Sequence, residues 1–156
     1  KTKRRTTAIR TTKTTTAETF MSHINRLRQK TGFIPDIIIV DYGDLVRSSG
    51  KATEERHIQA SAYEGLRGLG EDLQVPVWTA TRCNRYAAVK PIISMEDISE
   101  SYEKCAIADI IIAICRTPDE QRQGKGRFYI AGSRESEDRK TIDVSIDFSR
   151  CLIREM

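Results

Sequence analysis

Ile37-Ile38-Ile39-Val40 places four β-branched residues directly before the carboxylate of Asp41. An apolar strand ending in Asp delivers that carboxylate to the carboxyl edge of a sheet, where open α/β folds bind ligands. The pattern is that of a Walker B strand, whose Asp holds Mg²⁺ on the β- and γ-phosphates of a nucleotide, usually through a water. The same residues also suit a strand-end Asp that merely caps the following loop.

A Walker A loop, GxxxxGK[ST], normally accompanies such a strand, and this sequence contains none. Gly65-Leu66-Arg67-Gly68-Leu69-Gly70 looks like a glycine-rich phosphate loop only superficially, because it lacks the Lys and sits inside a helical period that runs to Leu73. Each helical glycine costs roughly 1 kcal/mol relative to Ala, so close packing against the sheet is the expected reason for them. A second apolar stretch, Pro76–Ala80, runs into Thr81-Arg82-Cys83-Asn84-Arg85. Arg82, Arg85, Tyr86 and Lys90 combine positive charge with one aromatic ring, which suits either a contact loop for single-stranded nucleic acid or an ordinary exposed loop. Further on, Tyr129-Ile130-Ala131-Gly132-Ser133-Arg134 delivers an Arg from a strand end. Such an Arg could act across a subunit boundary as a finger on a neighbour's γ-phosphate, or pair with Glu135 or Glu137.

Zinc is not expected. Cys83, Cys105, Cys115 and Cys151 form no CxxC pair, and the only histidines are His23 and His57, whereas tetrahedral sites are announced by close ligand pairs. A disulfide scaffold is equally unneeded at this size, so the four cysteines are expected to be reduced and mostly buried.

The elements that position these residues follow from periodicity. Phe20, Ile24 and Leu27 share one face of a helix over residues 17–30, with Thr16 as N-cap and Gly32 as stop. Ile58, Ala62, Leu66, Leu69 and Leu73 predict a helix over 54–73. The short runs Ile37–Val40, Pro76–Ala80 and Asp109–Ile114 read as strands buried on both faces, as in parallel sheets. Residues 82–98 are irregular and 99–108 helical. Phe128–Ala131, Ile142–Ile146 and Cys151–Ile153, joined by charged loops over 116–127 and 133–140, read as antiparallel strands at the sheet edge. Strand, helix, strand, helix, strand implies an α/β sandwich with right-handed crossovers.

The chain has 156 residues, 38% of them hydrophobic and 31% charged, which fits one globular domain and excludes a disordered one. No apolar run is long enough to cross a bilayer. The start lacks the apolar middle of a secretory signal, so a cytoplasmic protein is the expectation. Of 26 basic and 22 acidic residues, six basic and no acidic ones fall in residues 1–16, leaving a net −2 for the remainder. That basic segment is either a solvated terminus or an arm that touches phosphate.

Taken together, these clusters resemble the RecA-like motor of DnaB-type replicative helicases, most closely the bacteriophage versions, from about Ile9 to the end. The elements that carry the resemblance are FIPDIIIVDYGDLV, ERHIQASAYEGLRGLGEDLQVPVWTATRCNR, MEDISESYEKCAIADIIIAI and GRFYIAGSRESEDRKTIDVSIDFSRCLIRE. The resemblance implies a P-loop NTPase core, mostly a parallel sheet flanked by helices, with an antiparallel carboxyl-terminal hairpin edge. It implies one partial domain over 1–156, from Walker B onward, with the Walker A part outside it. It also implies ATP- and Mg²⁺-dependent movement along single-stranded DNA by a homo-oligomeric ring, hexameric in this family, in the cytoplasm of a bacterial or phage-infected cell. Asp41 would orient Mg²⁺, Arg82 would occupy the γ-phosphate sensor position and Arg134 would be the trans finger. Arg47, Lys51, Arg85, Tyr86, Lys90, Ser99, Glu100 and Ser101 would face the DNA channel.

The sequence departs from the family pattern at four places. Arg82 replaces a Gln, Gly132 replaces a Lys, Glu135-Ser136 replaces Asn-Gly, and Ser99 stands where a basic residue is usual. A recombinase or clock-type ATPase that does not unwind DNA, and a non-catalytic nucleic-acid-binding remnant, are the alternative readings. Alone, this segment is expected to bind ATP poorly, because the missing backbone N–H cradle makes most phosphate contacts.

Overall fold

The computed structural model describes residues 6–9, 14–48, 55–98, 103–135 and 137–156. All six basic residues of the amino-terminal segment lie outside that range. The chain forms two compact units, Lys1–Thr79 and Ala80–Met156.

In the first unit, helix α1 (Ala17–Thr31) starts at Thr16, whose carbonyl accepts from the N–H groups of Thr19 and Phe20. It stops at Gly32, where φ is 69°, a left-handed conformation that glycine adopts without strain, and the Gly32 N–H closes on the Arg28 carbonyl. Helix α2 (Glu55–Leu73) buries Ala62, Leu66 and Leu69 at the expected spacing. Strands β1 (Ile38–Val40) and β2 (Val77–Thr79) run parallel, with Ile38 opposite Val77, Ile39 opposite Trp78 and Val40 opposite Thr79.

Val40, Val46, Ala62 and Leu66 form the core of this unit, with Phe20, Ile38 and Val77 packed against it. Because successive side chains alternate between faces, Ile39 and Trp78 fall on the opposite side, where they are 73% and 52% exposed. The expectation that these strands are buried on both faces therefore holds for one face only: the two helices of the unit pack on the Val40 side. Two of the three α2 glycines have a packing reason. A Cβ on Gly65 would lie 3.0 Å from the Ala17 Cβ, and one on Gly70 would lie 3.0 Å from the Val77 Cγ2, whereas Gly68 faces open space.

The second unit contains 3₁₀ turns at Arg85–Val89 and Met95–Asp97, then α3 (Glu103–Ile107), β3 (Ile110–Cys115) and α4 (Pro118–Arg122). Strands β4 (Lys125–Ser133), β5 (Thr141–Asp147) and β6 (Leu152–Glu155) follow. Strands β3 to β6 make one antiparallel sheet in chain order. The antiparallel tail matches expectation, but β3 joins that tail, with Ile112 opposite Ile130 and Cys115 opposite Arg127.

Nor is β3 buried on both faces. Ile110, Ile112 and Ile114 are exposed, while Cys115 is wholly buried, as are Ala131, Val144 and Ile146 of the neighbouring strands to within a few per cent. Within the expected loop over 116–127, Thr117 starts α4: its hydroxyl accepts from the Glu120 N–H, and Pro118 occupies the first turn, where its missing N–H is harmless. All four cysteines are free, but only Cys105 and Cys115 are buried; Cys83 and Cys151 are exposed. No helix among the described residues is long and apolar enough to cross a membrane.

Candidate functional site

The carboxyl edge of β1 is fastened to β2 by the Thr79 hydroxyl, which donates to the Val40 carbonyl at 2.9 Å. Asp41 follows immediately, joined to Tyr42 by a cis peptide bond. Its carboxylate is exposed and has no hydrogen-bond or ion-pair partner among the described residues. Backbone bonds close the turn after it, Leu45 N–H to the Tyr42 carbonyl and Val46 N–H to the Gly43 carbonyl. Asp41 is therefore not the cap of its own loop.

Gly43 is buried, and a Cβ there would stand 2.7 Å from the Tyr63 hydroxyl and 2.9 Å from the Thr79 Oγ1. Tyr63 in turn donates to Asp44 Oδ1 at 2.9 Å, so α2 braces the backbone that presents Asp41. The oxygen chemistry at this edge suits Mg²⁺, which keeps most of its waters and needs only one or two protein carboxylates beside substrate phosphates. No three His, Cys, Asp or Glu side chains converge among the described residues, so the ion's remaining ligands would be water and phosphate. Arg47 is exposed, its N–H bonded to the Thr15 carbonyl at 2.8 Å; Lys51 lies outside the described residues.

In the second unit, Arg82 is exposed and follows Thr81, whose hydroxyl accepts from Lys104 Nζ at 3.4 Å. Asn84 starts the next turn, its side-chain oxygen accepting from the Ala87 N–H at 3.0 Å. That turn carries Arg85 and Tyr86 outward, with Tyr86 82% exposed. Lys90 is engaged differently: its ammonium meets Asp97 Oδ1 at 2.6 Å.

Asp97 is buried, and its other oxygen accepts from the Ser94 N–H at 3.0 Å and the Ser94 hydroxyl at 3.3 Å. The hydrogen bond from Lys90 holds the Asp97 carboxyl below its ordinary range, aided by the Ser94 N–H and opposed by burial. The charge of Lys90 is thus already matched inside the chain. Ser99, Glu100 and Ser101 lie outside the described residues.

Arg134 pairs with neither Glu135 nor Glu137. Its guanidinium donates to the carbonyls of Ala106 and Ala108 and lies 3.5 Å from the Asp109 carboxylate, while Glu137 pairs with Lys140. A cleft of about 460 Å³ beside it is lined by Met95, Cys105, Asp109, Gly132 and Asp138. A Cβ on Gly132 would lie 3.1 Å from the Met95 sulfur, so Met95 fills the room that a longer residue at 132 would need.

The sequence did not single out Tyr63, Asp97 or Lys104. Asp97 was detectable in principle, since Ser94-Met95-Glu96-Asp97 has capping-box spacing. Nothing local marks Lys104.

A parallel strand pair that ends in an Asp with no partner among the described residues, on a scaffold of mixed helices and sheet, defines an α/β protein, a class in which ligands bind at the carboxyl edge of the strands. Residues 1–151 match the family model of the DnaB-like helicase C-terminal domain, and the chain belongs to that family. The DnaB-like replicative helicase of Enterobacteria phage T4 is 34% identical over 106 residues, covering 66% of this chain and 22% of that protein. The replicative DNA helicase DnaB of Mycobacterium intracellulare is 33% identical over 129 residues, covering 77% and 21%.

Among solved structures, one described as an ATPase domain superposes with a TM-score of 0.76 at 16% identity, covering 91% of this chain and 52% of that one. A DnaB-like replicative helicase studied for its interactions with primase gives 0.71 at 17% identity, covering 86% and 34%. These likenesses bear out the RecA-like α/β fold. The chain spans about a fifth of the length of the T4 and mycobacterial relatives.

Proposed function

We propose that this chain is the Walker B-to-finger portion of a replicative DNA helicase, a ring of identical subunits that hydrolyses ATP with Mg²⁺ and moves along single-stranded DNA. The observation that carries the reading is Asp41: an exposed carboxylate with no partner among the described residues, at the end of a parallel strand, in a chain of the DnaB-like family. Bound there, Mg²⁺ would neutralise charge that builds on the β- and γ-phosphate oxygens.

The chain's own residues divide the remaining work. Asp41 orients the ion, braced through Gly43 by Tyr63 and Thr79. Arg82 serves as the γ-phosphate sensor, a fixed charge in place of the family's neutral amide. Arg134 serves the neighbouring subunit, and to reach it the guanidinium must leave the carbonyls of Ala106 and Ala108. Arg85 and Tyr86 offer charge and a stacking surface to single-stranded DNA; Arg47, Lys51, Ser99, Glu100 and Ser101 are further proposed DNA contacts from the family resemblance. Lys90 contributes by holding its loop through Asp97. The segment itself holds no GxxxxGK[ST] phosphate cradle.

Strand displacement on forked DNA by the full-length protein tests the reading. The expected result is displacement that requires both ATP and Mg²⁺. Strand pairing without displacement would favour a recombinase. Salt-sensitive DNA binding with no nucleotide turnover would favour a binding remnant, a reading that the tethered Arg134 and the adjacent Glu135 also suit.

A further inference from the structure

We infer that Lys104 is a positioning residue for the nucleotide site, tying the arm that carries Arg82 to the helix that holds Arg134. The inference rests on the reading of those two arginines as nucleotide-facing groups. Lys104 is only 2% exposed, an unusual place for an ammonium, which loses its hydration there and must be compensated by polar partners. One such partner is the Thr81 hydroxyl at 3.4 Å. Thr81 is the residue directly before Arg82, so this contact restrains the backbone from which the Arg82 side chain projects.

Lys104 is the second residue of the five-residue helix α3. The far end of the same helix is where Arg134 is held: its guanidinium takes the carbonyls of Ala106, the penultimate residue of α3, and of Ala108 just beyond, together with the Asp109 carboxylate. Arg134 N–H also bonds to the Asp109 carbonyl at 3.0 Å. One short element therefore touches Arg134 directly, through carbonyls at its carboxyl end, and reaches the arm that carries Arg82 through Lys104 and Thr81. Ser99, Glu100 and Ser101, proposed above as DNA contacts, lie within four residues of the start of α3 in the sequence. A shift of α3 that accompanies DNA binding would be passed to Arg82 through Lys104 and to Arg134 through Ala106 and Ala108. Coupling of this kind needs a physically contiguous element that both sites bias, and α3 is such an element.

The test uses three variants of the full-length protein: Lys104→Met, which keeps length and removes charge and donor; Lys104→Arg, which keeps both; and Thr81→Val, which removes the acceptor at similar volume. Two readouts are taken, amide hydrogen exchange over residues 80–84 and ATP turnover with and without single-stranded DNA. Lys104→Met and Thr81→Val should both speed exchange over 80–84. Both should also lower the DNA-stimulated kcat by about tenfold or more, the scale on which a misplaced group is felt, while leaving the KM for ATP within about twofold. Lys104→Arg should restore much of the stimulation, and the double variant should be no worse than either single one.

Unchanged exchange in Lys104→Met, or DNA-stimulated and basal rates that fall in equal proportion in both variants, overturns the positioning role. A wild-type protein that turns over no ATP, with exchange responding as described, upholds the tie between Lys104 and the Arg82 arm and removes the motor reading instead.

Discussion

The ammonium of Lys90 lies 2.6 Å from a carboxylate oxygen of Asp97, and the Asp97 carbonyl in turn accepts the Asn84 N–H at 2.7 Å. One buried Asp thereby closes the loop that displays Arg85 and Tyr86. Because its folded-state pKa is depressed, the stability it contributes is fully present above the ordinary carboxylate pKa of about 3.9 and is lost as pH falls through the lower folded value. The urea midpoint of the wild type should drop as pH is lowered through that window, and Asp97→Asn should show a lower midpoint at neutral pH with a flatter acid limb. Parallel profiles for the two proteins would contradict this account of the pair.

The same pairing separates two residues that composition alone treats alike. Arg85 is exposed with no partner among the described residues, so its charge is available to a phosphate. Arg85→Ala should weaken single-stranded DNA binding and reduce the slope of log affinity against log salt by about 0.7, the increment for one phosphate contact on a single strand. Lys90→Ala should change that slope little while lowering thermal stability. Equal slope changes would place both ammonium and guanidinium on the DNA.

Space beside Asp41 is as constrained as charge. Gly43→Ala would force a methyl group to within 2.7 Å of the Tyr63 hydroxyl, and overpacking of this kind costs about 1–3 kcal/mol. The Tyr63 ring carbon Cζ would lie at 2.8 Å as well, so Gly43→Ala/Tyr63→Val, which removes both Tyr63 atoms, should cost less than the sum of the two single substitutions and so recover part of the loss. No recovery in a denaturant titration would show that the strain lies elsewhere.

Core and bare face predict opposite responses. Leu66, 3% exposed among Val40, Val46 and Ala62, should lose about 2–5 kcal/mol on truncation to Ala. Ile39, equally apolar but 73% exposed, should tolerate Ile39→Thr in this segment within about 0.5 kcal/mol.

Helices α1 and α2 were legible because their apolar period, the Thr16 cap and the Gly32 stop are all local signals. Strands β1 and β2 were legible as strands, but their burial was not, since four apolar residues in a row do not specify whether one or both faces are covered. The partner of β3 is set by pairing with a strand that begins ten residues after it ends and runs back alongside it, which no local pattern encodes. Helix α4 was missed although Thr117-Pro118-Asp119-Glu120 carries a cap, a first-turn Pro and a capping-box Glu, because charge density suggested a loop. The place of Asp41 at the end of β1 was legible from the apolar run before it. The Arg134 tether was not, because carbonyls of Ala106 and Ala108 leave no trace in side-chain chemistry.

Arg134 and Asp41 should fail in different ways. If Arg134 serves a neighbour as proposed, Arg134→Ala should stop hydrolysis while each subunit still binds nucleotide. Mixing it with Asp41→Asn subunits should restore part of the activity in rings that pair an intact Arg134 with an intact Asp41. Strictly additive inactivity in such mixtures would place Arg134 on its own subunit's nucleotide, or off the nucleotide altogether.

The most direct measurement is steady-state ATP turnover by the full-length Asp41→Asn protein across a Mg²⁺ titration, with single-stranded DNA present. The account predicts that turnover is abolished, and that added Mg²⁺ does not restore it, while the protein stays folded. Turnover equal to wild type at every Mg²⁺ concentration would contradict the assignment of Asp41 to the metal, and with it the motor reading built on that residue.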